Sequence, residues 1–270
     1  MPGDGRSRAE AERRDRGTGE VWRAEEPPPP PAAAEVFGPA LGTARQYARW
    51  LTGPGIERGL IGPAEAARIW DRHLLNGAAV AELVPGAGVL ADLGSGAGLP
   101  GMVLAMVRPA MRVILVEPML RRTTFLEQCA ADLALANVTV LRGRAEELSG
   151  RIGADVVTAR AVAPLERLAG LALGLIRPGG VILAVKGSGA AAEIEAAGPI
   201  LERLGLTEIE LVRCGDGYLD PPVTVIRLRA GGGDAGSSRA ARLSRRHAKG
   251  TAGRGRDQVV VIDRVTGEHR

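Results

Sequence analysis

From Leu90 to Gly101 the chain reads Leu-Ala-Asp-Leu-Gly-Ser-Gly-Ala-Gly-Leu-Pro-Gly, and 23 residues beyond Gly94 the run Val113-Ile114-Leu115-Val116 ends in Glu117. An apolar run entering a glycine-rich turn, a proline-opened helix, then a second apolar run ending in an acid is the pattern of a nucleotide-binding βαβ unit. Glycines let the backbone turn sharply and approach a ligand, because no Cβ stands in the way. The acid falls where a carboxylate accepts hydrogen bonds from both hydroxyls of a ribose. The segment implies a ligand built on adenosine.

The rest of the chain is arranged around this unit. From Gly88 onward strands are predicted at 89–93, 112–116, 138–141, 155–159, 181–186, 207–213 and 223–229, with helices near 100–107, 119–136, 164–176 and 190–204. Several strands are continuous apolar runs, as expected when helices cover both faces of a sheet. Strict β-α alternation gives an α/β fold with a mostly parallel, doubly wound sheet. Only Cys214 to Pro222 separates the last two strands, so they are predicted to close the sheet's edge as an antiparallel hairpin. The expected organisation is an N-terminal tail (1–35), a small helical extension (36–87), the nucleotide-binding domain (88–230) and a basic tail (231–270). In the extension, Leu41, Ala44, Tyr47, Ala48 and Leu51 fall at helical spacing, as do Ala66, Ile69, Trp70, Leu74, Ala78 and Ala81 after Pro63. Gly53-Pro54-Gly55 and Gly62-Pro63 punctuate these segments.

Composition narrows the function classes. The net charge of +4 comes from the C-terminal tail: residues 1–35 carry 6 basic and 8 acidic side chains and residues 231–270 carry 9 and 4, leaving +1 for 36–230. The folded part therefore carries only a weak electrostatic signal for nucleic acid. Both tails are expected to be disordered, with Val259–Ile262 the one run able to add a strand or a docking segment. Cys129 and Cys214 are isolated, with no C-x-x-C spacing and no histidine nearby, which speaks against a metal site or a disulfide framework. Cys129 reads as a small core residue. No stretch of about 18 apolar residues is present and the N-terminus lacks an apolar leader, so no membrane association and a reduced, cytoplasmic setting are expected.

Gly96-x-Gly98-x-x-Gly101 fits the dinucleotide fingerprint, which alone is weak evidence. Three features point instead to S-adenosylmethionine. Asp92 lies two residues before the first glycine, where an acid can hold the ligand's ammonium group, brace the loop or simply cap local amides. Arg144-Ala145-Glu146 follows the third strand, a place for an amide and a carboxylate to read an adenine edge. The closing hairpin belongs to methyltransferase folds of the Rossmann-like class I type, not to two-halved dehydrogenases. Backbone amides and carboxylates also suit a positive sulfonium better than an arginine cluster would. On this reading Glu117 binds the ribose, Glu146 or its neighbouring amide binds the adenine, and Gly94 and Leu99 line the methionine and ribose side of the loop. An NAD-binding oxidoreductase or regulator, a methyltransferase for small molecules or proteins, and an RNA-binding module that ignores the cofactor remain alternatives.

Several motifs together resemble the small-subunit ribosomal RNA guanine-N(7) methyltransferases, also called the glucose-inhibited division protein B family. They are Asp92-x-Gly94-x-Gly96-x-Gly98-Leu99-Pro100-Gly101, Arg121-Arg122-x-x-Phe125-Leu126, Arg144-Ala145-Glu146-Glu147, Thr158-Ala159-Arg160-Ala161, Ala184-Val185-Lys186-Gly187 and Asp71-Arg72-His73-Leu74-Leu75-Asn76. The likeness covers roughly 36–230. It implies a class I, S-adenosylmethionine-dependent enzyme whose target is nitrogen 7 of one guanine in the 530 loop of 16S ribosomal RNA. The RNA or the small ribosomal subunit is the implied partner, and a monomer is expected. Matched position by position, Gly94, Leu99, Ala145, Glu146 and Arg160 are implied cofactor contacts, beside Asp92, Gly96, Gly98 and Glu117 of the loop unit. Glu117-Pro118 stands where many relatives have aspartate; one more methylene still reaches a ribose.

Nitrogen 7 carries no proton, so transfer to it needs no general base, and the absence of a nucleophile–histidine constellation is consistent with that. Because that atom lies in the deep groove of A-form RNA, the target must sit in a loop or unstack. Arg121, Arg122, Arg144, Arg160 and Lys186 fall at the carboxyl ends of the strands, where the crevice opens, and can meet phosphates. Each has a plainer alternative. Arg160 fits a pocket role or a structural ion pair, and Lys186 substrate contact or none. Arg121 and Arg122 fit an RNA-facing or a solvated surface. His73 fits a helix histidine packed on the core, or a cofactor-site or RNA contact.

Overall fold

The computed structural model describes residues 27–230. The expectations for 1–26 and 231–270, including the strand at Val259–Ile262, lie outside the described residues. Seven strands form one sheet in the order β3-β2-β1-β4-β5-β7-β6. They are β1 (Gly88–Leu93), β2 (Met111–Glu117), β3 (Val138–Arg142), β4 (Ala154–Arg160), β5 (Ile176–Lys186), β6 (Leu206–Cys214) and β7 (Val223–Ala230). The first five run parallel, and β7 pairs antiparallel with both β5 and β6, which forms the edge hairpin the sequence predicts. The order reverses between β1 and β4, and ligands of open α/β sheets bind in the crevice beyond such a switch point.

Strand parity divides the core in two. Leu90, Val113, Leu115, Val156, Leu183, Val185, Val223 and Val225 face one layer, while Ala91, Leu93, Ile114, Val116, Val157, Ala159, Ile182, Ala184, Ile226 and Leu228 face the other. Three long helices and a shorter one fill the space between strands: α4 (Gly101–Val107), α5 (Leu120–Asp132), α6 (Leu165–Leu173) and α7 (Ala190–Arg203). The first two cover one face with Met102, Leu104, Phe125 and Leu126, and the last two cover the other with Leu165, Leu168, Ala172 and Leu201. Cys129 is buried in α5 and Cys214 at the end of β6, both as free thiols pushed up by burial.

With only two crossover helices, the first face would leave β4, β5 and β7 bare. The N-terminal extension covers them. It comprises α1 (Pro31–Phe37), α2 (Leu41–Trp50), a π-helical turn at Leu51–Gly55, a 3₁₀ segment at Pro63–Arg68, a second π-helical turn at Ile69–Leu75 and α3 (Asn76–Ala79). Its Tyr47, Leu51, Ile69, Leu74 and Leu75 share the core layer of α4 and α5. Two expectations need correction here. The extension starts at Pro31, not Val36: Pro31 opens α1 at a position where a missing N–H is harmless, and Ala33 and Phe37 are buried. Further back, the Pro27 carbonyl accepts a 2.8 Å hydrogen bond from Trp70 Nε1, so residues 27–35 belong to the fold. Gly53-Pro54-Gly55 does not separate two helices either, but lies inside the widened turn that continues α2.

Strand β5 starts at Ile176, five residues ahead of its expected position at 181. Ile176 pairs with Ala154 before an irregularity shifts the register to Val156–Val181, so Pro178, Gly179 and Gly180 sit in a bulge that composition alone reads as a turn.

The edge-on contact of Phe37 with Trp70, ring centroids 6.1 Å apart, ties α1 to the rest of the extension. Phe37→Ala is expected to cost about 3 kcal/mol in chemical unfolding, as for other buried aromatic truncations. A loss under about 1 kcal/mol would show that α1 is not part of the cooperative fold.

Candidate functional site

The glycine-rich loop leaves β1 at the switch point and is held from below. Gly94 N–H and Ser95 N–H donate to the Val116 carbonyl at 2.8 and 3.1 Å, and Ser95 Oγ donates to the Asp92 carbonyl at 2.8 Å. Tyr47 Oη, from the extension, donates to the Ala97 carbonyl at 2.8 Å. At Gly98, with φ of 100°, a Cβ would stand 2.8 Å from that Tyr47 hydroxyl and 2.5 Å from Met102 Cγ. Packing against Met102 and Tyr47 thus requires a glycine at 98. Gly96 differs: at φ of 60° its Cβ position meets nothing nearer than the Gly94 carbonyl at 3.9 Å, so this part of the loop faces open space. The expected helix opening at Pro100 is shifted by one residue, with Pro100 flanking α4 and Gly101 its first residue.

Asp92 is buried, and both carboxylate oxygens are engaged. Oδ2 accepts from Gly101 N–H at 3.2 Å, and Oδ1 from Thr158 Oγ1 at 2.9 Å. It therefore joins the end of β1, the start of α4 and the neighbouring strand β4, which is the loop-bracing reading of this acid. Burial pushes its pKa up to about 6, against the hydrogen bonds from Thr158, Ser95 and Gly101 and the charge of Arg160, which lower it.

Glu117 is 1% exposed at the end of β2. Its Oε1 accepts from Met119 N–H at 3.1 Å, and its Oε2 from Gly96 N–H at 3.0 Å, with Arg122 Nη1 at 3.5 Å. A buried carboxylate thus lies directly under the open part of the glycine loop. Its only ionic partner among the described residues is Arg122. Gly143 N–H donates to the Glu117 carbonyl at 3.3 Å, which sets the turn after β3 alongside. In that turn Glu147 Oε2 accepts from Arg144 N–H at 2.9 Å as a cap, while Ala145 is buried and Glu146 exposed. Leu99 is half-buried beside the loop.

The basic candidates separate clearly. Arg121 and Arg144 are exposed, whereas Arg122 turns toward Glu117. Lys186 is bound to Glu193 at 2.6 Å and donates to the Ala163 carbonyl at 3.2 Å. Arg160 ends β4 and forms no ion pair among the described residues. Its Nη2 instead donates to the Arg72 carbonyl at 3.1 Å and lies 3.3 Å from His73 Nδ1. Nη1 is buried and has no partner among the described residues, and an unmatched donor of this kind costs on the order of 1–3 kcal/mol. Ala161, which follows, takes φ of 54°, a strained turn for a residue with a Cβ. His73 is buried, and burial ahead of the Arg160 charge lowers its pKa despite Glu65. Parity explains the meeting: Val156, Thr158 and Arg160 alternate onto the face that the extension covers. Sequence reasoning singled out Arg160 and His73 separately and Thr158 only as part of the motif around Arg160, and it missed Glu65 and the site role of Tyr47. Of the last two only Tyr47 had a signal, as one of 2 tyrosines, set on the apolar stripe of α2.

A carboxyl whose pKa is raised on folding is ionised in the unfolded chain first, so Asp92 lowers stability as pH rises from about 4 to about 6, by about 3 kcal/mol in all. Asp92→Asn keeps both contacts, with the Thr158 hydroxyl accepting in place of donating, and carries no charge. In ligand-free protein its melting temperature is expected to exceed the parent's at pH 7.5, with the gap closing by pH 4. Parallel melting curves across that range would refute the assignment.

Against this geometry, comparison with known proteins is direct. Residues 41–217 match the family described as rRNA small subunit methyltransferase G. The ribosomal RNA small subunit methyltransferase G of Mycolicibacterium gilvum is 54% identical over 206 residues, covering 75% of this chain and 90% of that protein. Its counterpart from Thermobifida fusca is 53% identical over 194 residues, covering 72% and 82%. Among solved structures, the S-adenosylmethionine-dependent methyltransferase SibL superposes with a TM-score of 0.50 at 18% identity, over 74% of this chain and 70% of that one, which supports the class I fold. By its sequence across both the extension and the sheet, this chain belongs to the rRNA small subunit methyltransferase G family.

Proposed function

We propose that this protein transfers a methyl group from S-adenosyl-L-methionine to nitrogen 7 of a single guanine in the 530 loop of 16S ribosomal RNA. The observation that carries this reading is the family relationship, in which relatives 53–54% identical bear the name ribosomal RNA small subunit methyltransferase G. The residues at the switch point fit the cofactor. Glu117 offers a buried carboxylate, an acceptor only, to which a pair of ribose hydroxyls can both donate. Gly96 leaves room above it. The unmatched Nη1 of Arg160 suits a carboxylate, the one anionic group of S-adenosylmethionine. Gly94, Leu99, Ala145 and Glu146 complete the contacts, while Asp92 acts by holding the loop.

When bound, the cofactor supplies a sulfonium methyl, which passes to nitrogen 7 by direct in-line displacement. This chain's part is positioning, since the target atom has a free lone pair and no proton to remove. The guanine must be held about 3 Å from the methyl, in line with the leaving sulfur. Arg121 and Arg144 are exposed at the rim of the crevice and suit phosphate contacts. Arg122 and Lys186 reach RNA only by leaving Glu117 and Glu193. The substrate is 16S ribosomal RNA or the small subunit containing it. The protein works in the cytoplasm, as a monomer, with residues 88–230 as the methyltransferase domain and the extension packed on it.

Purified protein, labelled S-adenosylmethionine and undermethylated small subunits or 16S RNA are expected to give label at nitrogen 7 of one guanine. Label on protein or small molecules alone would overturn the RNA reading. Glu117→Ala is expected to abolish cofactor binding with the far-ultraviolet circular dichroism unchanged, and retained affinity would show that the pocket is elsewhere.

A further inference from the structure

The end of β4 is gripped by the extension through a hydrogen-bond chain with only one consistent assignment. Arg160 can only donate, so His73 Nδ1, 3.3 Å from its Nη2, must accept. The proton of the neutral imidazole is then on Nε2, which donates to Glu65 Oε2 at 2.9 Å. The other oxygen of Glu65 meets Arg72 Nη1 at 3.2 Å, and the Arg72 carbonyl accepts from Arg160 at 3.1 Å. Glu65, Arg72 and His73 thus hold one prong of the Arg160 guanidinium from two sides. The other prong, Nη1, is buried and unmatched. Protonated His73 would set donor against donor, and burial together with the Arg160 charge opposes that state.

We propose that Glu65 and His73 are positioning residues: Glu65 fixes the tautomer of His73, and His73 fixes the rotamer of Arg160, so that Nη1 is presented to the carboxylate of the bound cofactor. This rests on the reading of Arg160 as a cofactor contact. The groups around His73 among the described residues are Arg72 on its own turn, Glu65 on the preceding 3₁₀ segment and Arg160 on β4. Beyond Arg160 lie Tyr47 on α2 and Asp92 on β1, which sense its charge. The extension, which has no place in the minimal βαβ site, thereby becomes part of cofactor binding.

The test is the affinity of the full chain for S-adenosylmethionine, measured by titration calorimetry at pH 7.5. His73→Leu is expected to weaken binding roughly tenfold, the worth of one hydrogen bond to a charged group. His73→Asn, whose amide oxygen can stand in for Nδ1, is expected to recover most of that loss. The double variant His73→Leu/Arg160→Met is expected to bind no more weakly than Arg160→Met alone, because both changes remove the same contact. Equal losses for Leu and Asn, or additive losses in the double variant, would mark a packing role and overturn the proposal. Wild-type affinity in His73→Leu beside a loss in Arg160→Met would overturn it and leave Arg160 as a cofactor contact. Wild-type affinity in Arg160→Met would sink both. Should His73→Leu fail to fold, Glu65→Ala against Glu65→Gln carries the same contrast: a loss with Ala and retention with Gln is expected, and equal behaviour overturns the proposal.

Discussion

The buried carboxylate of Asp92 is the point on which the site's geometry depends. The glycine loop has one polar side chain with which to anchor itself, that of Ser95, so most of its shape must be imposed from outside. Asp92 does this by accepting from the first amide of α4 and from Thr158 on the adjacent strand. The two strands that flank the switch point and the helix that follows the loop are thereby set relative to one another. An acid 1% exposed would be a poor choice for stability alone, since burial opposes its charge. The amide, the hydroxyl and the nearby Arg160 charge offset that opposition, which is why the three have to converge at one place.

The extension follows from the same logic of completing what the core sheet leaves open. Two crossover helices cannot cover a seven-stranded sheet on one side, and the apolar residues of β4, β5 and β7 on that side require a partner. The extension supplies it, and its second consequence is local to the site. The face it covers is the face onto which Thr158 and Arg160 project, so the segment that buries Val156, Leu183 and Val185 also lies against the polar ends of the same strands. Tyr47 reaches the glycine loop and His73 reaches Arg160 from this one layer. Stability and function are therefore not on separate elements here.

Much of this was legible in the sequence. Strand positions came from apolar runs bounded by glycine and proline, and six of the seven lie within one residue of the structure at each end. The loop unit, Glu117 and the turn at Arg144 to Glu147 were found because their signals are local. What stayed hidden is of two kinds. Irregular backbone was misread where composition points to a turn but pairing continues, as at Arg177 to Gly180, or where a widened helical turn absorbs Gly53-Pro54-Gly55. Long-range pairing was not legible at all. The separate candidates Arg160 and His73 lie 87 positions apart, and Lys186 gave no sign that Glu193 would claim it.

The distribution of charge at the crevice bears on how such a site tolerates a cationic cofactor and an anionic substrate together. Near the glycine loop the acids are buried: Asp92 and Glu117 lie beneath it, each held by backbone amides. The cations nearest them are restrained, Arg122 by Glu117 and Arg160 by the extension. Farther out, Arg121 and Arg144 are exposed to solvent. Negative charge is thus concentrated beneath the loop, and positive charge at the exposed surface farther out. The two fields are kept apart by depth, because interactions in the buried layer are little screened whereas those at the rim weaken with salt. The near-zero net charge of residues 36–230 is therefore compatible with nucleic-acid contact: the two signs cancel in sum while remaining separated in space.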